Sequence, residues 1–444
     1  MIEALRNALR LPDLRRRLFY TLLLLVIFRA AAHVPVPGID QEALRRLLEG
    51  TGGAAQLVNL LDLLSGGAVA NYSILANGVY PYINASIILQ LLVPVIPSLQ
   101  RMIEEEGEAG QRKLNQWTYY ITIPLAALQA WGQAQLFTQA AGGMPILPRF
   151  GFHRPDYILP TVSVLVAMTA GTMFAIWLGD LISEQGIGNG LSLIIFGGIV
   201  ARAPTNIARI YTTDGWLGIL FFALITALTV FVIVYVQEGQ RRIPVQYGKR
   251  VRGRRMYAGG STYIPLRVNT AGMIPLIFAQ SILTFPAVIA QFFAGSENPN
   301  VAETARNIMN FFSGATTEWY TTLLYGLLYF FSVVGFTYFY TFVLIEQQNL
   351  AETLRRQGGS IPGVRPGKRT EEYINKVYQR ITLAGALFLG GVAVLPFVTQ
   401  LMMNTRVLII TSAGLLIVVG VVVDTMRQLE AQLLMRHYEG FIKK

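Results

Sequence analysis

Ten stretches of this chain are apolar over lengths that match the thickness of a bilayer: 18–32, 74–97, 117–138, 157–178, 191–208, 216–237, 270–293, 319–345, 377–399 and 407–426. A helix needs about 20 mostly apolar residues to cross the hydrocarbon core. Lipid offers no partner for a backbone amide, so a spanning segment must close its hydrogen bonds internally. Charged residues are only 14% of the chain against 53% hydrophobic, where a soluble domain carries about 25% charged. The expected fold class is therefore an all-α polytopic membrane protein. Trp117, Trp216 and Trp319 each open a stretch, as aromatics at the membrane–water boundary do.

The first stretch follows Arg15-Arg16-Arg17 and precedes Ala30-Ala31-Ala32, so it resembles a secretory signal. With nine further stretches behind it, it reads as an uncleaved first span. Lys and Arg fix the orientation. With the N-terminus inside and ten alternating spans, 27 of the 36 basic residues fall on the inner side and 8 on the outer, Arg29 lying within the first span. That bias places both termini in the cytoplasm.

One twelve-residue pattern occurs twice. GVYPYINASIIL (78–89) and GMIPLIFAQSIL (272–283) share Gly78/Gly272, Pro81/Pro275, Ile83/Ile277, Ala85/Ala279, Ile88/Ile282 and Leu89/Leu283. Apolar helices match one another by chance, but glycine and proline are not generic membrane filler. By the alternation above, the second span runs inward and the seventh outward. The chain then reads as five spans plus five in inverted topology, with halves at 1–208 and 209–444, and such folds place the working site between the halves. Ile83 and Ile277 come to similar depth under that symmetry, and branched aliphatics at a waist gate by dewetting.

Between spans, Leu57, Leu60, Leu61 and Leu64 keep helical spacing until Ser65-Gly66-Gly67 stops them. At ~1.5 Å per residue this piece (about 57–67) is too short to cross. It lies either on the outer surface or as a re-entrant helix in a protein-lined cavity. Two inner loops, 237–267 and 346–376, are long and basic. Part of that charge serves orientation. The rest, notably Lys249, Arg250, Arg252, Arg254 and Arg255, suits docking of a polyanionic or acidic partner.

Much chemistry is missing. There is no cysteine, and the three histidines are scattered, so neither a thiolate nor a histidine metal site is expected. GIGNGL (186–191) is no dinucleotide fingerprint, and GVRPGK (363–368) is one residue short between its glycines for a phosphate loop. Asp180, Glu184, Glu238, Glu346 and Asp424 fall at span ends, none at mid-span. Intramembrane acids mark ion relays and catalytic dyads, so no catalytic residue and no cofactor is expected. The spans carry neutral polar groups instead, among them Asn77, Asn84, Ser86, Gln90 and Gln280, which serve as packing glue or face a wet cavity. A secondary transporter with five-plus-five inverted repeats is the main alternative to a channel. A membrane enzyme lacks its constellation.

At this point the motifs become recognisable. PLRVNTAGMIPLIFAQSIL (265–283), WLGDLISEQGIGNGLSLIIFGGIVA (177–201), SGGAVANYSILANGVYPYINASIILQLL (65–92), EGEAGQRKLNQWTYY (106–120) and IPGVRPGKRTEEYINKVYQRITLAGALFL (361–389) resemble, in order, the signatures of the bacterial SecY family. The resemblance implies an hourglass protein-conducting channel in the bacterial plasma membrane. Its pore ring falls on Val79, Ile83, Ile195, Ile277 and Ile417, the last in the less distinctive stretch TSAGLLIVVGVVVD (411–424). The 57–67 helix becomes the plug. A lateral gate opens between the second and third spans and the seventh and eighth, with Ile88, Gln90, Gln280 and Ile282 near its seam, and signal helices leave there into lipid. Arg365 falls on the family's cytoplasmic-loop arginine. Implied partners are the small SecE and SecG subunits, the SecA ATPase, translating ribosomes with rRNA contacts, signal peptides and nascent chains.

Overall fold

The computed structural model describes residues 10–44, 68–69, 71–93, 96–140, 146–152, 154–247, 250–252, 255–257, 260–293, 298–312, 319–348, 350–403 and 409–442. Each of the ten apolar stretches contains a helix: α1 (Pro12–Ala31), α2 (Tyr80–Leu92), α4 (Glu108–Ala140), α5 (Pro155–Gln185), α6 (Gly190–Glu238, which holds two stretches), α7 (Ile274–Phe293), α9 (Trp319–Gln348), α11 (Lys368–Met403) and α12 (Ile409–Ile442). Among the described residues, three short amphipathic helices lie between them, α3 (Pro97–Glu106), α8 (Pro299–Phe312) and α10 (Leu350–Gln357). The continuous helix α6 is two spans end to end, broken at Gly215, whose φ of 67° only glycine adopts freely. Its second segment, Gly215–Glu238, is apolar yet barely buried. Such a surface is stable only against hydrocarbon. Trp117, Trp216 and Trp319 are all exposed, as boundary anchors should be.

The second span departs from expectation. Its helix starts at Tyr80 rather than at residue 74, and residues 71–79 form a series of turns. At 13 residues α2 is too short to cross alone; a 100° bend separates it from α3.

The helices gather into two compact units. The first comprises Met1–Phe221, Gln280–Tyr325 and Ile417–Lys444. Here the strand-like segment 34–36 is pinned to the entry of α2: Val36 N–H donates to Tyr72 O and Ile74 N–H to Val34 O, both at 3.0 Å. Val36, Val69, Tyr72, Ile146, Val164 and Met168 bury together around this joint. Gly171 of α5 lies directly on the Ile74 carbonyl, with no room for a Cβ. The GIGNGL turn between α5 and α6 is structural. Gly190 sits on the Gly179 carbonyl. Ser183 Oγ accepts from Gly190 N–H (2.9 Å), Asn189 Oδ1 caps α6 at Ser192 N–H (3.1 Å), and Thr21 Oγ1 of α1 accepts from Ile187 N–H (3.2 Å).

The second unit comprises Phe222–Ala279 and Gly326–Leu416. Its helices α9 and α11 approach through glycines: Gly390 lies against Phe330, and Gly326 against Phe397 and Val394. Small residues let membrane helices close on one another. The two long basic loops pack together. Loop 237–267 supplies β1 (Gln240–Tyr247), β2 (Arg250–Arg252), β3 (Arg255–Tyr257) and β4 (Ser261–Arg267), and loop 346–376 supplies α10 and β5 (Gly359–Ser360). These strands form one antiparallel sheet in the order β4-β1-β5, with β2-β3 as a separate hairpin. One sheet face carries Ile243, Val245 and Leu266, which bury against Leu354, Ile361, Ile374 and Tyr378. Each such side chain contributes about 1.5–3 kcal/mol when removed from water, so the two loops share one small core.

Candidate pore, gate and docking residues

The repeated motif proves to be a repeated piece of backbone. Gly78 and Gly272 both take left-handed φ, 54° and 67°. Each is followed two residues later by a helix start, at Tyr80 and Ile274, with Pro81 and Pro275 second in their helices. Proline at the first turn forfeits no helical hydrogen bond. Glycine turns the chain and proline starts the helix, which is why these two identities recur in both copies.

Val79 occupies the residue just before α2 and is 1% exposed. Ile195 on α6 and Ile417 on α12 are buried, and Ile83 on α2 is half-buried. These four belong to the first unit, whereas Ile277 on α7, also buried, belongs to the second. All seven residues expected in the plug (Leu57, Leu60, Leu61, Leu64, Ser65, Gly66 and Gly67) lie outside the described residues. The chain on either side is anchored. Asp40 Oδ1 accepts from Glu42 and Ala43 N–H before that segment, and Ala68 and Val69 are fully buried after it.

α2 and α7 meet through residues of which sequence reasoning named only some. Tyr80 Oη donates to the Ser281 carbonyl at 3.0 Å, both residues being buried. Asn84 and Thr284 side chains also face the Tyr80 hydroxyl, and Gln280 reaches Tyr325 on α9. Thr284 Oγ1 donates back to the Gln280 carbonyl at 2.8 Å. On α2, Gln90 Nε2 donates to Ser86 Oγ at 3.0 Å. Ile88 and Ile282 are turned outward, 38% and 39% exposed. The signal for Tyr80 was faint. It sits inside the repeat, but the partner copy has Ile274 at the matching position, so identity gave no hint.

The charged groups at span ends behave as boundary groups. Asp180 of α5 accepts from Tyr119 Oη of α4 at 2.8 Å, a neutral donor near the helix end. Among the described residues no cluster of three His, Cys, Asp or Glu side chains could hold a metal.

Lys249 and Arg254 lie outside the described residues. Arg250, Arg252 and Arg255 stand on the β2-β3 hairpin, where Arg252 faces Arg255 across the strands at its closed end. Arg365 sits on a loop fixed by its own sequence. Gly363 and Gly367 take left-handed φ of 78° and 110° on either side of Arg365-Pro366. Val364 N–H donates to Ile361 O, and Thr370 Oγ1 donates to the Arg365 carbonyl at 3.1 Å. The backbone is tied down while the Arg365 side chain is exposed.

A family model described as SecY matches residues 73–426. The protein translocase subunit SecY of Thermotoga maritima is 42% identical over 458 residues, covering 100% of this chain and 98% of that protein. A solved structure described as that of a protein conducting channel superposes with a TM-score of 0.60 at 17% identity, covering 94% of this chain and 91% of that one. The Sec61 chain of a canine ribosome–channel complex from the endoplasmic reticulum superposes with a TM-score of 0.58 at 17% identity, with the same coverage of 94% and 91%.

Proposed function

The chain belongs to the SecY family of protein translocase subunits, and we propose how its parts divide that work. It forms a channel in a membrane through which unfolded polypeptides pass, and it lets apolar signal helices leave sideways into lipid. The observation that carries this reading is similarity to translocase subunits along the whole chain, 42% identical end to end. A small-solute transporter finds no support among the relatives.

In this proposal the halves 1–208 and 209–444 enclose an hourglass path. Val79, Ile83, Ile195, Ile277 and Ile417 line its waist, and the segment 57–67 plugs it from outside. An apolar ring bears no fixed charge, so it dewets when empty and yields to a passing chain. The α2–α7 seam, closed by Tyr80 and Ser281, is the lateral gate, with Ile88, Gln90, Gln280 and Ile282 along it. A signal helix prefers lipid by ~0.3–0.6 kcal/mol per Leu or Ile. The channel supplies a path and performs no bond chemistry, so the energy comes from outside. Both termini face the cytoplasm of a bacterium, and the protein resides in the inner membrane. Arg365 and the basic hairpin, with Lys249, Arg250, Arg252, Arg254 and Arg255, dock the SecA ATPase or ribosomal RNA, and SecE and SecG complete the complex.

Reconstitution tests this. The chain with SecE and SecG in sealed liposomes, given SecA and ATP, is expected to carry a secretory precursor into a protease-protected space. No protected precursor, alongside uptake of a small solute by the chain alone, would refute the channel reading.

A further inference from the structure

We propose that a cavity between the ends of α9, α10 and α11 holds the headgroup and glycerol region of one membrane phospholipid bearing a primary ammonium group. The proposal rests on α9 and α11 being membrane spans, not on the pore, plug or gate assignments. The cavity measures about 540 Å³ and lies wholly within the second unit. That volume falls in the range of small-molecule sites, ~300–1,000 Å³.

The lining is divided by chemistry. Phe339, Phe342 and Ile345 of α9 form an apolar wall. Phe342 is 63% exposed at the lip, where an acyl chain would run out along the span into lipid. Opposite, Glu371, Asn375 and Gln379 of α11 follow one another at four-residue spacing, which puts them on one helix face as a polar stripe. This stripe borders the cavity at the end of two spans, with Glu371 and Gln379 exposed.

Two hydroxyls point to a ligand. Thr341 and Thr382 line the cavity and are 3% and 5% exposed, yet neither hydroxyl is hydrogen-bonded among the described residues. Their neighbours on α9 behave otherwise. Ser332 and Thr337 each donate to the carbonyl four residues back, at 2.7 Å. Both side chains line the cavity, where a bound acceptor or water can take up their hydroxyl protons. Ester carbonyls and phosphate oxygens are such acceptors.

Charge selects the headgroup. The cavity is lined by two carboxylates, Glu352 and Glu371, and by no Lys or Arg. Glu352 is partly neutralised by Arg356 at 3.2 Å. Glu371 has no ion pair among the described residues, and so remains for a cation. A net-anionic lipid would meet two carboxylates without compensation. A small free ammonium compound has no apolar chain to cover the wall formed by Phe339, Phe342 and Ile345. A zwitterionic lipid with an –NH₃⁺ head satisfies both, its ammonium donating to Glu371 and its phosphate accepting from Asn375 and Gln379.

The test uses the full chain in nanodiscs with phosphatidylethanolamine carrying a photoreactive acyl chain, crosslinked peptides being mapped by mass spectrometry. Labelling is expected within 338–382. It should be displaced by unlabelled phosphatidylethanolamine, but not by equal phosphatidylglycerol or by phosphatidylcholine, which has no N–H. Glu371→Gln, an exposed substitution that spares the fold, should lower labelling about tenfold, the worth of one charge-assisted hydrogen bond. Equal displacement by phosphatidylglycerol would mean annular lipid only and would overturn the site. Equal displacement by phosphatidylcholine would overturn the primary-ammonium assignment. Unchanged labelling of the Glu371→Gln chain would remove the role of that carboxylate.

Discussion

Replacing Tyr80 with Phe removes one atom from the α2–α7 seam and tests whether that seam is a gate. The ring stays, so packing in the buried site is kept, and only the donor to the Ser281 carbonyl is lost. That carbonyl lies inside α7, where a helical N–H four residues on serves one of its lone pairs. The residual cost therefore falls at the low end of an unmade buried hydrogen bond. Polar contacts between membrane helices average about 0.6 kcal/mol and reach about 1.7. An intermediate value of about 1 kcal/mol raises the open-to-closed ratio about fivefold. Since each Leu or Ile of a signal helix contributes ~0.3–0.6 kcal/mol, the same quantity offsets the loss of about two apolar residues from the signal. Export of a precursor with a signal shortened stepwise, measured by protease protection in proteoliposomes, is expected to fail about two residues later with Tyr80→Phe than with the parent chain. Tyr82→Phe is the control, since that ring packs on Tyr119 at 5.6 Å and, among the described residues, makes no hydrogen bond across the seam. An identical threshold for the parent and Tyr80→Phe, with equal amounts of folded protein, would refute the idea that this bond holds the gate.

Other outcomes follow from the same geometry. Ile83→Gly with Ile277→Gly should raise resting ion conductance in planar bilayers, and an unchanged leak would count against the waist. Arg365→Glu leaves the glycine-fixed loop intact and is expected to depress motor-driven export several-fold while protease resistance stays normal; full export would remove the docking role. Ile243→Ala empties part of the shared sheet core and should cost about 2–5 kcal/mol locally, read as faster trypsin cleavage within 237–267. Equal cleavage rates would mean that the sheet contributes little to holding the loops.

The helices were legible because lipid imposes a length and an apolarity that few other environments do. Their details were less so. Residues 74–79 are as apolar as a span, and only Gly78 signalled that the chain turns there before α2 begins. The sheet was harder. Ile243 and Val245 alternate with polar residues as a half-buried strand requires, but Pro244 and Pro265 argue against strands. The structure resolves this conflict: β1 pairs with β5 only at Gln246 and Tyr247, so Pro244 faces an open edge on that side. The Tyr80–Ser281 bond could not be read at all. Tyr80 and Ser281 are 201 positions apart, and no local pattern says which carbonyl a buried phenol will find.

The shared sheet changes how docking on the two basic loops can act. If the loops were independent, a partner gripping one would leave the other untouched. Instead β1 continues from α6, β4 leads into α7, and β5 lies between α10 and α11. The exit from β4 is held rather than free: Val268 N–H donates to the Gly239 carbonyl at 2.9 Å, and Gly385 of α11 lies directly against the Val268 carbonyl. Asn269 Nδ2 then donates to the Gly272 carbonyl at 3.0 Å, fixing the left-handed turn that starts α7. A force applied at Arg365 or at the hairpin is thus delivered to one packed body whose outlet is the first turn of α7, the helix that carries Ile277 and, one turn further, Ser281. Gly385→Val would separate these roles, because it pushes α11 off the β4 exit without touching either proposed docking surface. Partner binding is then expected to persist while export falls; loss of both together would show that the sheet serves the docking surface alone.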